Sequence, residues 1–213
     1  MLRTLRNWLL TILVLGAIGG GLYVYWDLDY RWRPHDITKH ADEIGKILDA
    51  SGWVSPGLTG PKLYEITYRA NPDGVRFEQS QFPALHQAGV DTRVIMIARA
   101  DVNGAPKSTP IERSSVAELW VNRSWKLYQK WADAPAGAWT APGIAPADGD
   151  VARSAVVEAG RDAVERLKPL LHDNGVGPAY PTLIWWTKDG KMQGCACDRA
   201  ETYRFVRKAL GAG

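Results

Sequence analysis

The segment 175–213, GVGPAYPTLIWWTKDGKMQGCACDRAETYRFVRKALGAG, constrains the fold more than any other part of the chain. Gly175 closes a helical stretch, and a short loop leads to Tyr180-Pro181. Thr182 to Thr187 is apolar and rich in β-formers, which predicts a strand. Lys188-Asp189-Gly190 predicts a hairpin turn. A second short strand runs to Gly194, and a capped helix ends the segment. Both cysteines of the chain, Cys195 and Cys197, fall inside this unit.

The other end of the chain reads differently. Residues 8–26 form an uncharged run from Trp8 to Trp26, long enough to cross a bilayer, with Trp8, Tyr23, Tyr25 and Trp26 as interfacial aromatics. Arg3 and Arg6 precede the run, while Asp27 and Asp29 follow it. The positive-inside rule then places residues 1–7 in the cytoplasm and the rest beyond the membrane. A cleaved signal peptide is the competing reading. It lacks support because the apolar run continues to Trp26 and no small-x-small site ends it. The expectation is one signal anchor in a bacterial inner membrane, with a periplasmic C-terminal domain. There the two cysteines meet an oxidising compartment.

Length and composition bound the remainder. The chain has 213 residues and 46% hydrophobic residues, enough for one domain with a real core plus an appendage. A net charge of +3 gives no nucleic-acid signal. Residues 27–60 read as a juxtamembrane linker with one short helix, in which Ala41, Ile44, Ile47 and Leu48 share a face and Asp36 or Thr38 is the cap. Lys62 to Arg69 predicts a strand, Asn71-Pro72-Asp73-Gly74 a turn, Phe77 to Ala88 a helix containing Pro83, and Thr92 to Ala98 a strand covered on both faces. Ser114 to Trp131 predicts one helix and Pro135 to Asp150 a loop. Val151 to His172 predicts a helix with Ala155, Ala159, Ala163, Leu167, Leu170 and Leu171 inward.

The order β-α-β, helical insertion, α-β-β-α resembles the thioredoxin-like superfamily. So does the Tyr180-Pro181-Thr182 step ahead of the strand that leads to Gly194. An insertion after the second strand resembles the periplasmic disulfide isomerase (Dsb) branch. The resemblance covers about Pro61 to Leu210. It implies an α/β thioredoxin-like domain at 61–213, with its helical insertion at about 108–150, preceded by one transmembrane helix. It also implies a cis proline at 181 bordering an active site on the rim formed by Asn71 to Val75. At that rim the family carries C-x-x-C at a helix start. Here Asn71 to Val75 contains no cysteine, so the usual thiol chemistry has no seat.

Three readings of Cys195 and Cys197 stand side by side. They form a relocated redox pair on the Pro181 rim, with a strained and easily reduced C-x-C bond. With Met192 they form a soft Cu(I) site. Or they are structural only. In the redox reading Cys197 has the lower pKa, because a final helix capped by Asp198 and Glu201 starts just after it. The expected function is a non-catalytic protein-binding module of the cell envelope, with a thiol-disulfide oxidoreductase as the alternative. Tyr180, Pro181, Asn71 and Asp73 line the expected partner cleft, and no cofactor is called for. Trp125 and Trp139 fall off the predicted helix face and are further interface candidates.

Overall fold

The computed structural model describes residues 2–135 and 137–213. The chain divides into two units, 1–33 and 34–213.

In the first unit, α1 (Leu2–Leu28) is a single helix of 27 residues. At 1.5 Å per residue it extends about 40 Å, longer than a bilayer's hydrocarbon core. Thr11–Trp32 is long and apolar enough to cross a membrane. A 3-10 turn follows at Tyr30–Trp32. Arg31 pairs with Asp27 at 2.8 Å and Arg33 with Asp29 at 2.5 Å.

The second unit begins with β1 (His35–Asp36) and α2 (Ala41–Ala50). This corrects the expectation of a linker at 27–60: residues 34–60 belong to the globular unit. The reason is burial. Ile37, Ile44, Ile47 and Leu48 are covered and pack with Tyr64, Ile66 and Ile184 of the sheet. Neither Asp36 nor Thr38 caps α2. The N-cap is His40, in a left-handed conformation with no side-chain cap bond. Asp36 instead accepts from Gln193 Nε2 at 2.7 Å, and the Thr38 and Lys39 amides donate to Asn174 Oδ1.

Next come β2 (Lys62–Thr67) and α3 (Pro72–Gln87). The expected turn at Asn71–Gly74 is the opening of this helix. Asn71 is the N-cap, its side chain accepting from the Asp73 amide at 3.2 Å, and Pro72 sits in the first turn, where its missing N–H costs nothing. Pro83 stays inside α3. β3 (Asp91–Met96) runs parallel to β2, with Leu63 beside Thr92. The single helix expected at 114–131 is two: α4 (Pro110–Asn122) and α5 (Trp125–Asp133). Arg123 turns left-handed (φ 48°), and Ser124 caps α5 by accepting from the Leu127 amide. The loop up to Asp150 then leads into α6 (Val151–His172), capped by Asp150. Its inward face is Val157, Gly160, Val164, Leu167 and Leu171, while Ala155 and Ala159 are exposed.

β4 (Thr182–Trp186) and β5 (Met192–Ala196) form the hairpin, and α7 (Tyr203–Leu210) ends the fold. The expected Asp198–Glu201 capping box does not form. A 3-10 turn at Ala200–Thr202 leads into α7, and neither element has a side-chain cap bond.

The five strands lie in the order β1-β5-β4-β2-β3, with β2 and β3 parallel and the other neighbours antiparallel. The period-2 alternation of β2 divides the core. Leu63 faces a cluster with α3, α5 and α7 residues such as Phe77, Tyr128 and Val206. Tyr64 and Ile66 face the cluster with α2 and α6. The result is a mixed α/β unit with a helical layer on each side of one sheet.

Candidate functional site

Two places bring chemistry-bearing groups together. The first is the rim where α3 begins. The Tyr180–Pro181 bond is cis. Thr182 pairs with Ile66, so Pro181 lies one step along, beside Thr67. Thr67 Oγ1 accepts from Asn71 Nδ2 at 3.3 Å. Asn71 is buried, and Asp73 pairs with Arg76 at 2.6 Å. Arg76 also donates to the Asp198 carbonyl at 2.9 Å and to the Tyr203 hydroxyl at 3.5 Å. That ties the start of α3 to the segment just after Cys197. Tyr180 is half-buried, edge-on to Tyr68 at 5.6 Å between ring centres. Burial, with the nearby Glu165 charge, pushes its hydroxyl up to about 12.

Cys195 and Cys197 form a disulfide, with their Cα atoms 5.2 Å apart. Two residues apart on one strand direction, they project to the same side of the sheet. That side is the α3/α7 core, where Cys195 is 4% exposed and Cys197 fully buried. The Cys197 amide donates to the Pro181 carbonyl at 2.8 Å. The expected neighbourhood is present, but the expected exposure is not, because Tyr203 and Val206 of α7 share the same closed cluster. Met192 is buried on the opposite side of the sheet, among the α2/α6 residues. The geometry therefore does not assemble Met192, Cys195 and Cys197 as a ligand set. Among the described residues no group of three His, Cys, Asp or Glu side chains gathers for a metal.

A cysteine at position 74 has no room either. A Cβ on Gly74 would lie 2.5 Å from Thr67 Oγ1, 3.2 Å from Asn71 Nδ2 and 3.5 Å from Glu65 Oε1.

That last atom leads to the second place, which sequence reasoning missed. Glu65, in the middle of β2, is fully buried, and neither carboxyl oxygen has a hydrogen-bond partner. Burial, aided by the Glu78 charge, raises its pKa well above the ordinary carboxylate range. Glu78 of α3 lies at a cavity of about 350 Å³ between α3 and α5. Burial pushes its carboxyl up to about 7, against opposing pulls from Tyr128 and Arg69. The Tyr128 hydroxyl is buried and directed toward Glu78, outside hydrogen-bond geometry. Trp125, expected as an interface residue, is half-buried on the cavity wall, 4.9 Å from the Tyr128 ring and 6.4 Å from that of Phe82. Trp139 is also half-buried, donating to Ser115 Oγ at 2.8 Å. The available signal was a lone acid in an apolar strand flanked by helices on both sides.

No protein-family model matches the chain, and no curated protein sequence matches it. Among solved structures it is similar to the crystal structure of Salmonella enterica Typhimurium BcfH. The TM-score is 0.55 at 14% identity, over 99% of this chain and 93% of that one. At that identity the likeness is one of fold.

Proposed function

We propose that this chain is a membrane-tethered, thioredoxin-like module of the Dsb type that binds a protein partner in the cell envelope and does not exchange thiols. The strand order and the helices α4 and α5 inserted after β3 support the thioredoxin-like reading. One observation carries the loss of thiol chemistry. Asn71 and Gly74 occupy the start of α3, and the chain's two cysteines are bonded to each other under α7. At the rim, Asp73 and Tyr180 are partly exposed and remain as the contact surface, while Asn71 and Pro181 are buried beneath them. A redox reading through Cys195 and Cys197 draws on one fact, the Cys197–Pro181 backbone bond that holds the pair near this rim.

Labelling separates the two. Treated with mild reductant and an alkylating reagent, the native protein is expected to take up no label, and the unfolded protein two labels per chain. Catalysed reduction of a test disulfide, or rapid labelling of the native form, would transfer the function to the cysteine pair.

Tethering has its own test. The apolar α1 and the arginines before the span support an inner-membrane anchor with residues 34–213 in the periplasm. The full chain is expected entirely in the membrane fraction, and protease added to spheroplasts should digest the C-terminal unit. Deletion of residues 2–33 should move the protein to the soluble fraction, since the globular unit starts at Pro34. A full-length protein found soluble, or protected in spheroplasts, defeats this topology.

A further inference from the structure

The cavity between α3 and α5 is large enough for a small ligand or one long side chain. Its apolar wall is Phe82, Trp125 and the ring of Tyr128. Its polar lining combines the carboxyls of Glu78 and Asp133 with the Tyr68 and Tyr128 hydroxyls, the Gln79 and Gln129 amides and the Arg69 guanidinium. Among the described residues Glu78 makes no direct ion pair, though the Arg69 charge acts on it, and the Tyr128 hydroxyl is buried without a hydrogen-bond partner. Pro83, also on the wall, has no N–H to offer the Gln79 carbonyl of the same helix.

The charges facing Glu78 come from every side. Behind it on β2 is Glu65. Arg69, just past β2, directs Nε and Nη2 to the carbonyls of Trp131, Ala132 and Ala134 at the end of α5. Further along α3, His86 is held toward its neutral form by burial, with Nε2 on Thr92 Oγ1 at 2.8 Å. Asp133, at the end of α5, is exposed. Two acids and one outer carboxylate thus meet one engaged arginine. An anion entering here meets like charge, and a neutral ligand leaves Glu78 uncompensated. A cation with several N–H donors satisfies both the carboxylate and the hydroxyl, and the Trp125 face adds cation–π attraction.

We propose that the α3/α5 cavity is a binding site for a protonated amine carried on an apolar group, with Glu78 and Tyr128 holding the ammonium and Trp125 and Phe82 the carrier. The class includes free amines and the lysine side chain of a protein. The site does not depend on the binding-module reading, because a thiol-active chain would carry the same cavity.

Binding should be coupled to protons. Glu78 must be ionised to hold the ammonium, and its carboxyl titrates at about 7. Its ionised share rises about tenfold from pH 6 to pH 8, and affinity should rise by about the same factor.

The test uses the full-length protein in detergent, with benzylamine as probe and calorimetry or tryptophan fluorescence as readout. Benzyl alcohol and benzoate are the neutral and anionic counterparts. Benzylamine is expected to bind at least about tenfold more tightly than either, with the pH dependence above. Glu78→Gln should cost at least about tenfold and abolish that pH dependence, and Tyr128→Phe should weaken binding several-fold. Nα-acetyl-lysine methylamide is the second arm. Binding as tight as that of benzylamine points to a lysine side chain, and much weaker binding to a small free amine. If neither amine binds, if benzyl alcohol binds as well as benzylamine, or if Glu78→Gln keeps full affinity while folded, the proposal is overturned. Should Glu78→Gln fail to fold, the amine-to-alcohol ratio and pH profile of the parent protein decide.

Discussion

Stability should fall as the pH is raised from about 6.5 to 8, the reverse of what paired surface carboxylates produce. The cause is the Glu65–Glu78 pair. Both carboxyls have folded pKa values above those of the unfolded chain, because burial favours the neutral form. Stability from such a group is fully present below its unfolded pKa and is lost as pH rises through the folded one. With Glu78 at about 7, the loss over this window is on the order of 1 kcal/mol, and Glu65, raised in the same direction by burial, acts with the same sign. His86, whose pKa burial lowers, acts in the opposite direction below about 6.5, which sets the lower limit. Asp148 and Asp189 have lowered values and act in more acidic solution. Glu65→Leu should raise stability by about 1–3 kcal/mol near neutral pH, since it removes a buried carboxyl with no hydrogen-bond partner at similar volume. It should also make the decline shallower, and Glu78→Gln should flatten the part near pH 7. Urea unfolding at several pH values measures all of this. A midpoint that climbs from pH 6.5 to 8, or a Glu65→Leu protein less stable than its parent, would show that the pair is ionised and satisfied in the fold.

What could be read from residues alone was local. β2 and β3 announce themselves by β-formers and an apolar run, and the β4–β5 hairpin by Lys188-Asp189-Gly190. The features that escaped depend on what covers a segment. β1 is two residues long and exists because β5 lies beside it, across more than 150 positions of sequence. The break at Arg123–Ser124 interrupts an apolar pattern that continues in the same sense on both sides, so periodicity alone joins α4 and α5. On α6 the alanine stripe misled, since Val157 and Val164 bury more apolar area than Ala155 and Ala159 could. The i, i+2 spacing placed Cys195 and Cys197 on one side, but only the packing of α7 decides that this side is closed. For the same reason Glu65 reads as a solvent-facing acid until α3 and α5 are placed over it.

Installing a C-x-x-C at the start of α3 should fail. Asn71→Cys removes the side-chain oxygen that accepts from the Asp73 amide, a loss of about 1 kcal/mol for a helix cap. Gly74→Cys forces a Cβ to within 2.5 Å of Thr67 Oγ1, against a buried strand residue. Overpacking of this kind costs about 1–3 kcal/mol. The double variant should therefore lose about 2–4 kcal/mol in urea unfolding and show little reduction of a test disulfide. Thr67→Ala removes the hydroxyl at the closest contact, so adding it to the double variant should recover most of the loss from Gly74→Cys. Glu65 would still lie beside the new side chain, with burial raising its pKa well above the ordinary carboxylate range. A double variant as stable as the parent would mean that the backbone of α3 can move away from β2, and that the fold sets no barrier to cysteines at these positions. Loss with recovery through Thr67→Ala would instead show that Thr67, Asn71 and Gly74 are packed as one unit. In that case the absence of thiols at this rim is built into the strand beneath it as well as into the two positions themselves.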